Sequence, residues 1–285
     1  MSKEHPKPRE AFNASAADRI EGILARLSKV PEGREVVAFL KNNAVKIDIQ
    51  DDPVNWAAST LTITGLKDGV YSYTNPVIIL KKDLSDDNML QAIVHESQHL
   101  RHHLSGVGNP DRVLSQEQYI LFYRAAEADA QAACTLATWR LKQAGDAGPW
   151  KAAGDAGYRD ICNAFEKIVT EDAAALDDRR AQRAAFDAWF DNPSRLAGYN
   201  KATVDHMIPF LEKGRAEIFK DTGMTQGPLD ESWLDKLHAV SPQPYLLAGG
   251  RDILSDGFYI RDLDKRPPEP KQKPENDAVR PPKAA

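Results

Sequence analysis

Residues 92–100 read Ala92-Ile93-Val94-His95-Glu96-Ser97-Gln98-His99-Leu100 and contain the pattern His-Glu-x-x-His. A helix start precedes them, because Ser85 is followed by Asp86 and Asp87, and acidic residues favour the positive end of a helix. The predicted helix runs to about Leu104. Histidines four residues apart lie on one face of a helix, about 6 Å apart along its axis. Both imidazoles can therefore reach one zinc ion at roughly 2.0–2.1 Å.

The other faces of this helix support a metal site. Glu96 projects beside the two histidines, where it can take a proton from water at the metal. At 100° per residue, the opposite face is largely apolar and consists of Leu90, Ile93, Ser97, Leu100 and Leu104. A metal-binding helix that lies on a sheet and faces a cleft has this arrangement. The alternative is a solvated helix that happens to carry histidines, since His102 and His103 follow directly.

A zinc ion that keeps one position open for water needs a third protein ligand. Glu127 is the best candidate, because it lies on an otherwise largely apolar helical face, where a carboxylate is costly to bury without a partner or a metal. Asp129 points about 200° away on the same helix and is expected to face solvent. Asp129 or a distant histidine is the alternative third ligand. An ion pair with Arg124 is the alternative role for Glu127.

The sequence around the motif predicts a small sheet followed by many helices. Two helices, at 15–28 and 31–40, precede strands at 45–49, 60–64, 70–73 and 77–80, with a turn at Gly65–Gly69. Ser115 begins a long helix that ends near Lys142. Further helices are expected at 156–173, 176–190 and 201–219, where Pro209 can kink the last one. This pattern indicates an α+β, predominantly helical fold.

Composition divides the chain and excludes some functions. We predict a flexible N-terminus at 1–14, a core at 15–145, a helical region at 146–264 that completes the cleft, and a disordered, Pro- and Lys-rich tail at 265–285.

The formal net charge is −5 although the tail is basic, so the folded body offers no electrostatic footprint for nucleic acid. Cys134 and Cys162, in Ala-rich helical sequence, are expected to be buried thiols.

Targeting signals are not recognisable in the sequence. It contains no apolar stretch typical of a secretory signal or a membrane helix, so a cytoplasmic location and no membrane partner are expected. For the basic tail, a solubilising linker is the ordinary interpretation. The alternative is an export signal of a secreted effector.

The helix with His95, Glu96 and His99, followed by a helix with Glu127, resembles the zincin metallopeptidases and, within them, the gluzincins. The chain is also similar to a bacterial domain family of proposed metallopeptidases. The resemblance covers about Val45 to Gly145 and implies a zincin-like small sheet with an active-site helix and a third-ligand helix. It makes the two histidines and Glu127 the ligands of one zinc ion per chain, and Glu96 the general base and acid.

The resemblance implies three more features of the site. Gln131 stands where gluzincins often have an aspartate, and would support a ligand histidine by a hydrogen bond. The strand Val77–Lys81 would pair with extended substrate at an open edge, unless it is a fully buried central strand. A downstream histidine or tyrosine would stabilise the oxyanion, and the candidates are His206, His238, Tyr245 and Tyr259.

These observations predict a zinc-dependent peptidase that hydrolyses peptide or protein substrates. Glu96 would take the proton from the attacking water and deliver it to the leaving amine. The alternatives are a non-catalytic interaction protein on a zincin fold and a secreted effector protease.

Overall fold

The computed structural model describes residues 8–51, 57–67, 70–108, 114–208, 228–241, 245–246 and 251–263. The fold is α+β and predominantly helical, as predicted. The N-terminal half contains the helices α1 (Pro8–Leu27) and α2 (Pro31–Asn42), the strands β1 (Lys46–Gln50), β2 (Ala57–Lys67) and β3 (Val70–Lys81), and the long helices α3 (Asp86–Leu104) and α4 (Gln116–Gln143). The C-terminal half contains α5 (Gly148–Ala153), α6 (Arg159–Glu171), α7 (Arg180–Phe190), α8 (Pro193–Ala202) and two further helices, Glu231–Val240 and Gly257–Ile260.

The first helix begins earlier than predicted. It starts at Pro8 rather than after Ser15, so residues 8–14 are helical, and residues 1–7 lie outside the described part. Proline is well suited to the first turn of a helix, because its missing N–H would have had no intrahelical acceptor there. The next helix, α2, packs so closely on the end of α1 that a Cβ at Gly33 would overlap the carbonyl oxygen of Leu27.

The three strands form one sheet in the order β1-β3-β2. β1 runs parallel to β3, with Ile47 opposite Ile78, and β2 runs antiparallel to β3. The two strands predicted at 70–73 and 77–80 are one strand, which passes through Asn75 at φ 53°. β2 extends to Lys67, into the predicted turn, and residues 68–69 lie outside the described part.

The central position of β3 corrects the prediction for Val77–Lys81. This segment is paired on both sides, with β1 and with β2, so it offers no open edge to a peptide. Its side chains Ile78 and Leu80 are completely buried. An apolar run without clear alternation is typical of a strand with covered faces, and here that interpretation is the right one.

Helices α3 and α4 begin where the sequence predicted. The Ser85 hydroxyl accepts a hydrogen bond from the Asn88 N–H at 3.2 Å, and Ser115 accepts one from Gln118 at 3.3 Å. Such caps satisfy backbone donors that the first turn of a helix leaves free. The two helices pack against each other over much of their length and carry all the predicted metal-site residues.

Two hydrophobic cores meet at α4. One lies between α1, α2, the sheet and α3, and it includes Cys134, Ala137 and Leu141 of α4. The other is formed by the opposite side of α4 and the C-terminal helices. Because α4 is covered from both sides, its residues between Tyr119 and Trp139 are almost all buried. Cys134 and Cys162 are buried free thiols, as expected.

An arginine joins the first helix to both long helices. Arg26 of α1 donates two hydrogen bonds to the carboxylate of Asp146, at 2.9 and 2.8 Å, and one to Asp87 at 2.6 Å. Asp87 lies in the first turn of α3, and Asp146 follows the end of α4. The contact fixes one end of the helix pair that carries the site.

Two of the three predicted C-terminal helices are confirmed, since α6 and α7 lie within 156–173 and 176–190. The helix expected at 201–219 begins instead at Pro193, where Asn192 caps it by accepting a hydrogen bond from the Arg195 N–H at 3.1 Å. Residues 209–227, with Pro209, and the tail 265–285 lie outside the described part, and the division of the chain into segments stays a prediction. Among the described helices, none is both long enough and apolar enough to cross a membrane.

Candidate metal centre

The middle of helix α3 is buried except where it carries the two histidines of the motif. From Met89 to Leu100, every residue is buried apart from His95 and His99, whose side chains are 18% and 16% exposed. The opposite face is covered by core residues, as the apolar pattern predicted. The alternative of a solvated, histidine-rich helix is therefore wrong, and the two imidazoles are the partly exposed side chains of this stretch.

Glu127 of α4 faces the two histidines. Its Oε1 lies 3.2 Å from Nε2 of His99, and its Oε2 lies 3.4 Å from Nε2 of His95. The two Nε2 atoms are 3.0 Å apart. These are the donor atoms that lie close enough together to hold a metal ion. The structure brings together the three residues that the sequence analysis selected, although they come from two helices.

The spacing of the donor atoms fits a tetrahedral ion. For bonds of about 2.0–2.1 Å, two ligand atoms on a tetrahedral zinc are separated by about 3.3 Å. The three observed separations, 3.0, 3.2 and 3.4 Å, lie close to that value. Two imidazole nitrogens and one carboxylate also form a donor set that zinc accepts, with a fourth position left for water.

The electrostatics of the site favour a charged Glu127. Burial alone would raise the pKa of this carboxyl, but the adjacent His99 and His95 outweigh that effect and hold it well below its usual range. Burial likewise lowers the pKa of His99, and the carboxylates of Glu127 and Glu96 overcome this and raise it to about 9. The site therefore concentrates negative charge beside two imidazoles, which suits a divalent cation.

Glu96 is buried on the same helix, next to the first histidine of the motif. Its side chain is only 9% exposed, and its charge acts on His99. Glu96 is not among the donor atoms that could hold the ion, and its role in the reaction stays a prediction.

A tyrosine that the sequence analysis missed completes the surroundings of Glu127. The hydroxyl of Tyr199, on α8, donates a hydrogen bond of 2.9 Å to Oε2 of Glu127. Its ring packs edge-on against Trp189, with the ring centres 5.0 Å apart. The pair Asn192-Pro193 is a helix-start signal that would have put Tyr199 inside a helix, but nothing in the sequence pairs that helix with α4.

Most of the chain matches the model of one protein family. Residues 4–218 match the family described as "Putative metallopeptidase family (DUF6782)". The chain belongs to this family. Searches of curated proteins and of solved structures gave no match. Membership in this family supports peptidase activity and implies a metal ion. His95, His99 and Glu127 form a possible binding triad for that ion.

In this member of the family, Glu127 has no ion pair with Arg124. Arg124 is completely buried and donates instead to the side-chain oxygen of Asn200, from Nε at 3.0 Å and from Nη2 at 2.6 Å. Asn200 is the neighbour of Tyr199, so this contact anchors α8 on α4 beside the hydrogen bond between Tyr199 and Glu127. The predicted ion pair of Glu127 with Arg124 is therefore not formed, because Arg124 points to another side of α4.

The prediction that Asp129 faces solvent is also wrong. Its side chain is 1% exposed and accepts hydrogen bonds from Gln98, His102 and Tyr245. Asp129 and Glu127 both contact α3. The error is that α4, enclosed by two cores, has no solvent-facing side at this level.

The remaining candidates lie elsewhere. Gln131 is buried, its Nε2 has no hydrogen-bond partner in the described part of the chain, and no hydrogen bond there links it to His95 or His99. Tyr245 donates to Asp129 and Tyr259 donates to Asp187, so both hydroxyls are already engaged. His238 is half-buried on the helix Glu231–Val240, and the side chain of His206 lies outside the described part.

Proposed function

We propose that this protein is a zinc-dependent peptidase that hydrolyses peptide bonds, with His95, His99 and Glu127 as the zinc ligands. The observation that carries the proposal is the convergence of Nε2, Nε2 and a carboxylate oxygen at separations of 3.0 to 3.4 Å. Family membership supports the same class of reaction. One zinc ion per chain is expected.

Each residue of the site then has a distinct role. Zinc bound there would polarise the scissile carbonyl and lower the pKa of the attacking water. Glu96 takes a proton from that water and delivers it to the leaving amine. Tyr199 keeps the Glu127 carboxylate in one orientation through its hydrogen bond, so that the ligand arrangement is formed in advance.

The substrate is a peptide or protein segment. Because β3 is paired on both sides, an extended substrate that pairs with the sheet must use an outer strand, β1 or β2. The helical region after α4 supplies Tyr199 to the site, and we propose that it forms the other wall of a substrate cleft. We expect this wall to restrict access and to make the substrates few.

The test compares Glu96→Gln with the wild type on a mixed peptide library, with cleavage detected by mass spectrometry. Both proteins are loaded with zinc, and their metal content is measured first. We expect the variant to keep its zinc and to lose at least about 100-fold in rate, because the proton carrier is removed while the ligands stay. The control Glu171→Gln changes a glutamate 60% exposed on α6 and should cleave like the wild type.

Two results would contradict the proposal. Cleavage by Glu96→Gln at the wild-type rate would mean that another group carries the proton. Absence of any cleavage by the zinc-loaded wild type, over the whole library, would favour a non-catalytic protein.

A further inference from the structure

Three hydrogen bonds converge on the buried carboxylate of Asp129. Gln98 donates to Oδ2 from Nε2 at 2.7 Å, and Nε2 of His102 lies 2.7 Å from the same oxygen. The hydroxyl of Tyr245 donates to Oδ1 at 2.5 Å. We call these four residues the Asp129 clamp. None of them is among the residues that face the candidate metal position.

The clamp lies directly beside the metal site on both long helices. On α3, Gln98 and His102 are one turn apart and stand on either side of His99 in the sequence. On α4, Asp129 is two residues after Glu127. The helices α3 and α4 are thus joined twice, once through the histidines and Glu127, and once through the clamp.

The buried charge of Asp129 opposes a shift of α4 relative to α3. A buried carboxylate that loses its hydrogen-bond donors keeps its full desolvation cost, because no water can replace them. A shift of α4 along or around α3 would separate Asp129 from Gln98 and His102 together. The clamp therefore holds the two helices in one register, and that register decides where the carboxylate of Glu127 lies.

We propose that Asp129 is a positioning residue, which holds Glu127 against His95 and His99 through its bonds to Gln98, His102 and Tyr245. This inference rests on the proposed metal site. The donor Tyr245 lies beyond residues 4–218, the part of the chain that matches the family. Tyr245 thereby contributes to the metal site without being one of its donor residues.

The test measures zinc affinity by competition with a chelator in Tyr245→Phe and Asp129→Asn. The matched control is Tyr259→Phe, because the Tyr259 hydroxyl also donates to a carboxylate at 2.5 Å, that of Asp187, inside the same core. We expect Tyr245→Phe and Asp129→Asn to weaken zinc binding by about 10-fold. Tyr259→Phe should bind zinc like the wild type, even if this substitution lowers the stability of the protein as much as Tyr245→Phe does.

A spectroscopic measurement separates positioning from a loss of stability. With Co²⁺ as the bound metal, the visible absorption reports the arrangement of the ligands, and it should change in Tyr245→Phe but not in Tyr259→Phe. Tyr245→Phe carries the test if Asp129→Asn does not fold. Wild-type affinity and an unchanged Co²⁺ spectrum in Tyr245→Phe would overturn the inference and leave the metal site standing. A wild-type protein that binds neither metal would overturn the proposed function itself, and the inference with it.

Discussion

The Tyr199 hydroxyl donates to the Glu127 carboxylate across 2.9 Å, and it joins two helices through residues that are 72 positions apart in the sequence. Burial and the charge of Glu127 both raise the pKa of Tyr199 above its usual range, so its proton stays on the oxygen. A donor that never ionises at physiological pH can hold a carboxylate whether or not a metal is bound.

Tyr199→Phe tests this relationship. The change removes the hydrogen bond to Glu127 and keeps the ring that packs on Trp189, so we expect zinc affinity to fall about 10-fold with little loss of fold. The matched control is Tyr123→Phe, one turn before Glu127 on α4. Chelator competition measures both variants. Equal zinc affinity in Tyr199→Phe and the wild type would mean that Glu127 needs no support.

The contact of Arg26 with Asp146 predicts a dependence of stability on pH. The hydrogen bond from Arg26 lowers the pKa of the Asp146 carboxyl. Stability from this pair is therefore present above the unfolded pKa of about 3.9 and is lost as the pH falls through the lower, folded value.

We expect Asp146→Asn to lower the free energy of unfolding by about 1 kcal/mol at pH 7, since both side chains are partly exposed. The difference from the wild type should shrink below about pH 4. Urea denaturation over this pH range measures it, and Asp83→Asn, at a side chain 71% exposed, serves as the control. A difference that stays constant with pH would show that the charge of Asp146 is not involved.

Two glycines in the first helices predict opposite effects on stability. Gly33→Ala should cost about 2 kcal/mol, because its Cβ would overlap the carbonyl oxygen of Leu27. Gly22→Ala should stabilise by up to about 1 kcal/mol, because Gly22 is exposed in the interior of α1 with open space around it. Denaturant unfolding of the two variants measures both. If they changed stability in the same direction, the close packing of α2 on α1 would be wrong.

The helical faces and helix starts could be predicted from the sequence, because they depend on the local spacing of residues. His95 and His99 share a helical face wherever that helix lies, and serine caps mark the starts of α3 and α4. Helical phase also put Glu127 on the correct side of α4. Each of these inferences needs only the geometry of one helix.

Long-range contacts could not be predicted in the same way. Helical phase did not reveal that Gln98, His102 and Tyr245 surround Asp129. Tyr199 reaches Glu127 from α8, which Arg124 anchors on α4. The central position of β3 likewise depends on β1, which crosses over to pair with it. Such contacts are decided by packing between elements, which one sequence does not record.

Elemental analysis of the protein, purified without added metal, tests the central claim most directly. The wild type should contain about one zinc atom per chain, and His95→Ala and His99→Ala, prepared alongside it, should contain almost none. Wild-type protein without zinc, even after incubation with zinc and dialysis, would contradict the account. So would the same zinc content in the wild type and both variants.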